Sequence, residues 1–113
     1  MSQSLSQLIV HIIFSTKKRQ PFLINLLERQ QLYDYSSGVL KKYHCSALAI
    51  GGIEDHVHLL VHLSKNIALS TLIETLKTAS SKWIKTTYSK TLYKNFYWQT
   101  GYAAFSVSYS QVS

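Results

Sequence analysis

Two histidines one residue apart lie in the run Glu54-Asp55-His56-Val57-His58-Leu59-Leu60. On an extended strand side chains alternate between faces, so His56 and His58 project together, about 7 Å apart along the strand. That separation lets two imidazoles converge on one cation. The same spacing also suits two hydrogen-bonded histidines on a half-exposed strand with no ion between them. A pair falls short of a zinc set, which usually has at least three protein ligands. A harder ion, Mg²⁺ or Mn²⁺, fits if oxygen or amide ligands join the pair. His62 shares the face but lies about 13 Å beyond His58, too far for the same ion. Asp55 can orient a histidine from outside the ligand set or cap a turn. His11 sits in an apolar run and reads as a satisfied core histidine rather than a ligand.

The elements that must position this pair follow from hydrophobic periodicity. Leu8 to Phe14 is short, apolar and rich in β-branched residues, which predicts a strand buried on both faces. A basic loop, Thr16 to Pro21, follows it. From Ile24 to Lys42, Leu27, Gln31, Tyr35 and Val39 recur at helical spacing, with Leu32 and Leu40 beside them. Cys45 to Ile50 is the next strand, broken by Gly51-Gly52, and His56 to Leu63 is the third. The short link between them predicts an antiparallel hairpin. Thr71 to Tyr88 is a second helix, with Thr71 and Glu74 spaced as a capping box. Its apolar stripe is Leu72, Leu76, Ala79 and Trp83, while Lys77, Ser81 and Lys85 lie toward another face. Lys90 to Asn95 reads as a loop. Tyr97 to Ser108 reads as extended, with Gly101 at a bulge or turn. The order β-α-β-β-α-β predicts an α+β, ferredoxin-like sandwich: an antiparallel sheet with two helices on one face.

The 113 residues suit one domain, 1–113, and 46% apolar residues supply a sizeable core. Twelve Lys and Arg against five acidic residues leave a net charge of +7. That excess favours a polyanionic partner, nucleic acid or an anionic membrane surface, although a basic protein with no such partner has the same composition. No apolar run reaches the roughly 18 residues that span a bilayer. The N-terminus has no basic region followed by a cleavable apolar segment. The reading is therefore cytoplasmic, with no membrane partner. The single cysteine, Cys45, excludes an internal disulfide framework and reads as a small buried hydrophobe.

Four segments together resemble one family. Glu54 to Leu60 resembles the Asp-His-Val-His-Leu-Leu core of the HUH transposases (His, hydrophobic residue, His). These are the small tyrosine transposases of the insertion-sequence 200/605 type, with their REP-associated relatives. His11-Ile12-Ile13-Phe14-Ser15-Thr16-Lys17 is similar to the family's first strand with its Ser/Thr-Thr-Lys end. Thr75 to Ser81 is similar to its Leu-Lys-x-x-Ser-Ser helix segment, and Trp98 to Ser108 to its Trp-Gln-x-Gly-Tyr-x-x-Phe-Ser-Val-Ser strand. The matches run in family order from about residue 7 to the last residue. The resemblance implies a divalent ion, Mg²⁺ or Mn²⁺, on His56 and His58 and a polar third ligand. It implies cleavage and rejoining of single-stranded DNA through a 5′-phosphotyrosine. Lys17, Arg19, Lys77, Lys82 and Trp98 are the residues expected to meet DNA, with Asp55 supporting the metal site. Solvated surface is the commoner fate of lysines, and Trp98, like Tyr97, can stack on bases or pack in a core or dimer contact.

The family places its nucleophile on a Tyr-Ile-x-x-Gln helix several residues after the Phe-Ser-Val-Ser strand. This sequence stops at Ser110-Gln111-Val112-Ser113, where that helix would begin. Tyr109 comes too early and reads as a turn or packing residue, Gln111 does not match by position, and Tyr88, Tyr93, Tyr97 and Tyr102 have no better claim. The nucleophilic tyrosine is expected downstream of Ser113, so the chain alone is expected to be inactive. Three other readings stay open. A replication initiator or relaxase uses the same histidine pair, although the short length and the Trp-Gln-x-Gly-Tyr strand favour a transposase. A non-catalytic nucleic-acid-binding module, remnant or regulator, fits the missing tyrosine. A metallohydrolase would want a further His, Asp or Glu at the pair, and none is found. Related transposases are dimers that pair strands and exchange helices. Tyr102 to Ser108, if an edge strand, would leave free N–H and C=O groups that a second copy can satisfy, so a homodimer is expected.

Overall fold

The computed structural model describes residues 8–108. Its elements run β1 (Leu8–Ser15), α1 (Leu26–Lys42), β2 (Ser46–Ile53), β3 (His56–Leu63), α2 (Leu69–Thr87) and β4 (Ala103–Val107), with single 3₁₀ turns at Lys17–Arg19 and Thr91–Asn95. The sheet order is β2-β3-β1-β4 and every neighbouring pair is antiparallel. This is the ferredoxin-like βαββαβ arrangement that the order of apolar patterns predicts.

Alternation divides the sheet into two faces. On β1, Val10, Ile12 and Phe14 face the helices; opposite them on β3 stand Val61, Leu59 and Val57. All are buried, and they join Leu72, Ile73, Leu76 and Ile84 of α2 and Leu32, Val39 and Leu40 of α1 in one core. Cys45 is buried there too. The other face carries His56, His58, Leu60 and His62 of β3 and His11, Ile13 and Ser15 of β1, all half-buried. The expectation that β1 is buried on both faces holds in full for its helix side; on the second face Ile9 is buried, while His11, Ile13 and Ser15 are only half-buried.

Four local expectations are corrected. α1 starts at Leu26, where the Asn25 side chain accepts a hydrogen bond from the Glu28 N–H at 3.0 Å. Its buried stripe is Glu28, Leu32, Tyr33, Ser36, Val39 and Leu40, while Leu27 is 67% exposed. The stripe was hidden in the sequence because it includes polar residues whose partners are remote or on the backbone. Ser36 donates to the Leu32 carbonyl, and Glu28 accepts from Tyr93, 65 residues away. α2 begins at Leu69 without a side-chain cap, which puts Thr71 and Glu74 inside the helix. Ile67 and Leu69 pack against the core and draw the start forward. Finally, β2 runs through Gly51-Gly52 to Ile53 rather than breaking there. Gly52 marks a close approach, not an end: a Cβ added to it would lie 2.3 Å from the His56 carbonyl oxygen.

The Glu28 contact closes the helical layer over the 3₁₀ turn. The Tyr93 hydroxyl donates to Oε1 at 2.7 Å, and Lys90 pairs with Oε2. Burial works to raise the Glu28 carboxyl, but hydrogen bonds from Lys90 and Tyr93 outweigh it and hold it below the usual carboxylate value. A depressed folded-state value adds stability that is present above the unfolded value, about 4.3, and is lost as pH falls through the folded value. Tyr93→Phe is expected to cost about 1.5–3 kcal/mol at neutral pH, the range for a hydrogen bond to a charged group. Urea unfolding checks this, and the cost should shrink in acid as Glu28 protonates.

Candidate metal centre and nucleic-acid interface

The site grows out of the β2–β3 hairpin turn. Thr16, just after β1, is buried and grips that turn: its N–H and its hydroxyl both donate to the Asp55 carbonyl, at 2.9 and 3.1 Å. Leu23 N–H donates to the Glu54 carbonyl at 2.9 Å. The turn is therefore tied to the core on the residue before His56. His56 and His58 then emerge on the open face with ring centroids 4.9 Å apart.

Each imidazole has its Nδ1 engaged. His56 Nδ1 lies 2.8 Å from Asp55 Oδ1, and because a carboxylate only accepts, His56 donates through Nδ1. Asp55 Oδ2 also accepts from Arg19 Nε at 3.3 Å. The hydrogen bond from His56, aided by Arg19 and opposed by partial burial, holds the Asp55 carboxyl below its usual value. His58 Nδ1 lies 3.1 Å from Nε2 of His11, which reaches across from β1. Burial, with the neighbouring His56 and His11 imidazoles, pushes His58 below the ordinary imidazole value, which favours its neutral form. Nε2 is the ring nitrogen left on both His56 and His58.

A cleft of about 430 Å³ opens at the pair and is also lined by Arg19, Gln99, Thr100 and Tyr102. Its wall is the segment that runs beside the end of β1. Lys17 N–H donates to the Tyr97 carbonyl and Gln99 N–H to the Ser15 carbonyl, each at 2.8 Å. Lys77 pins the same segment: its Nζ donates to the carbonyls of Gln99 at 2.9 Å and Gly101 at 2.7 Å. Lys77 is only 7% exposed, and burial lowers its ammonium below the usual lysine value. Leu72 and Leu76 are buried, and Ala79 and Trp83 pack half-buried against the core, as the periodicity predicts; Lys77 departs from it and does not lie on a solvent face.

A second cleft, of about 580 Å³, lies between α2 and this segment and is lined by Lys77, Lys82, Lys85, Tyr97 and Trp98 among others. Trp98 is half-buried. Its indole N–H donates to Ser80 Oγ at 3.0 Å, and its ring meets Phe14 and Phe96 edge-on at 4.8 and 4.9 Å. The open aromatic face here belongs to Tyr97, 54% exposed, with Lys85 Nζ 3.9 Å and Lys17 Nζ 5.8 Å from its ring centroid.

The structure thus brings together His56, His58, Asp55 and Arg19, and sets Lys82 on the neighbouring basic groove, with Lys17 reaching toward the Tyr97 ring at its edge. Sequence reasoning set His11 aside; only the register of β1 on β3 puts it beside His58. Tyr109 and Gln111 lie outside the described residues. No helix among the described residues is long and apolar enough to cross a membrane.

The fold and the open His-x-His strand define a ferredoxin-like domain built to display an imidazole pair beside basic grooves. Residues 4–113 match the family described as Transposase IS200 like, and the chain belongs to that family. Among solved structures, a candidate transposase from Deinococcus radiodurans R1 superposes with a TM-score of 0.79 at 21% identity, over 93% of this chain and 82% of that one. The REP-associated tyrosine transposase bound to a REP hairpin superposes with a TM-score of 0.62 at 15% identity, over 94% of this chain and 59% of that one. At these identities the likeness is one of fold. No curated protein matches the chain.

Proposed function

We propose that this chain is the metal-holding, DNA-binding core of a transposase that cuts and rejoins single-stranded DNA at insertion-sequence ends. The observation that carries the reading is the His56–His58 pair, on one face, with each Nδ1 engaged and Nε2 the ring nitrogen that remains on both. Among the described residues no cluster of three or more His, Cys, Asp or Glu could hold a metal. Two nitrogen donors therefore suit Mg²⁺ or Mn²⁺, which take their remaining ligands from water and phosphate oxygen, better than a closed zinc site. When bound, the ion polarises the scissile phosphate and offsets its charge. A tyrosine oxygen bonds to phosphorus, the bond to the 3′ oxygen breaks, and the 3′ hydroxyl leaves; the 5′-phosphotyrosine conserves the bond for rejoining.

Lys17, Arg19, Lys82 and Lys85 are proposed to contact the phosphates, with Lys77 and Trp98 supporting the groove from within. The solved relative carries a REP hairpin, and single-stranded or hairpin DNA is the partner proposed here. Fluorescence anisotropy with labelled hairpin, single-stranded and duplex DNA tests this. Neutralising about four phosphates gives a log–log salt slope near −3 for single strands. Affinity should therefore fall roughly 50-fold from 50 to 200 mM salt, with duplex DNA bound more weakly. Salt-insensitive binding, or a preference for duplex, would count against the reading.

A second copy is proposed to pair with β4, which lies at the sheet edge with Phe105 57% exposed. Light scattering at tens of micromolar protein, roughly where weak dimers form, should give the dimer mass; a monomer mass throughout would refute it.

A further inference from the structure

We propose that His11 is a positioning residue for the metal centre, accepting a hydrogen bond from His58 and so holding the Nε2 lone pair of His58 free for the ion. The inference rests on the reading of His58 as a ligand. Its basis is the sheet register. His11 stands opposite Leu60 on β3, and His58 opposite Ile13 on β1, so the two histidines are diagonal neighbours on the open face. Their ring centroids are 5.3 Å apart, and Nε2 of His11 lies 3.1 Å from Nδ1 of His58. Phe105, opposite His11 on β4, stands with its ring 6.3 Å from the His11 ring on the other side.

Two neutral imidazole nitrogens at this distance share one proton, and its position has two outcomes. If His11 donates through Nε2, His58 accepts on Nδ1 and carries its own proton on Nε2, where no ion can then bind. If His58 donates through Nδ1, His11 must carry its proton on Nδ1, and Nε2 of His58 keeps a free lone pair. The second arrangement matches His56, whose Nδ1 proton is fixed by Asp55. The two ligands would then be held in the same tautomer by different partners, a carboxylate at the hairpin turn and an imidazole on the adjacent strand. A metal-bound histidine generally donates its second ring nitrogen to such a partner, and losing the partner typically weakens metal binding about 10–100-fold.

The test uses the 113-residue chain. Long-range ¹H–¹⁵N correlation spectra of the metal-free protein at about pH 8, above the ordinary imidazole value, report which nitrogen of each ring is protonated. His58 and His11 are both expected to be protonated at Nδ1. In His11→Phe the fixed tautomer of His58 should be lost and Mn²⁺ affinity should fall about 10–100-fold, with an unchanged urea midpoint showing that the fold survives. His11→Gln, which offers an amide oxygen as acceptor, should recover part of the loss. A proton on Nε2 of His58 in the wild-type protein overturns the proposal. So does His11→Phe binding Mn²⁺ as well as wild type while His58→Ala does not. If His58→Ala also binds as wild type, the reading of His58 as a ligand fails, and the role of His11 fails with it.

Discussion

Incubated with single-stranded hairpin DNA and Mn²⁺, the 113-residue chain is expected to give no covalent protein–DNA band on a denaturing gel. In the proposed reaction, attack on phosphorus needs a phenol oxygen beside a phosphate at His56 and His58. Tyr33 and Tyr93 are buried on the helix side, and Tyr93 donates to Glu28, with burial and that carboxylate pushing its phenol far above the usual value. Tyr35 stacks on Trp83 at 5.0 Å, and Tyr97 faces the lysine groove. Tyr102 is the tyrosine among the described residues that lines the histidine cleft. It follows Gly101, whose carbonyl is pinned by Lys77, and it lies in the Trp-Gln-x-Gly-Tyr segment just before β4 rather than on a Tyr-Ile-x-x-Gln helix. The effect is all or none. A shifted band abolished by Tyr102→Phe or Tyr109→Phe would show that the nucleophile lies within these residues. Absence of the band, with hairpin binding intact, is the result expected if none of these tyrosines is the nucleophile.

The second large effect concerns the hairpin that aims the histidines. Gly52→Ala is expected to cost about 2–4 kcal/mol, because overpacking against backbone cannot be relieved by a rotamer change. The added Cβ would lie 2.3 Å from the His56 carbonyl oxygen and 3.0 Å from the Tyr33 hydroxyl. Relief must move the backbone of His56 itself, so Mn²⁺ affinity should fall together with the urea midpoint. Gly51→Ala is the control. Nothing lies within 4 Å of its added Cβ, and its cost should stay within about 0.5 kcal/mol. Equal stability of the two variants would mean that the close approach at Gly52 does not constrain the turn.

These two residues show what the sequence makes legible and what it does not. Alternation in His56 to Leu63 locates the strand to the residue and puts both imidazoles on one face, because a period of two depends only on local geometry. The order of elements is readable for the same reason. Gly51-Gly52 reads as a break because what requires a glycine at Gly52 is a neighbour on the adjacent strand. His11 reads as a core residue because its partner, His58, lies 47 residues away. Lys77 reads as a surface cation because the carbonyls that hold it belong to a segment more than 20 residues later. Glu28 hides the buried face of α1 in the same way. In each case the pattern along the chain gives the element, and a long-range polar contact decides what the side chain does there.

The account stands on divalent-ion binding by the histidine pair. Mn²⁺ binding followed by electron paramagnetic resonance, on the wild-type chain and on His56→Ala and His58→Ala, tests it most directly. One ion per chain is expected in the wild type. Removal of either ligand should weaken binding by at least about 100-fold, beyond the loss typical of an outer hydrogen-bonding partner, with unfolding midpoints little changed. Wild-type protein that binds no Mn²⁺, or variants that bind it as tightly as wild type, would contradict the account.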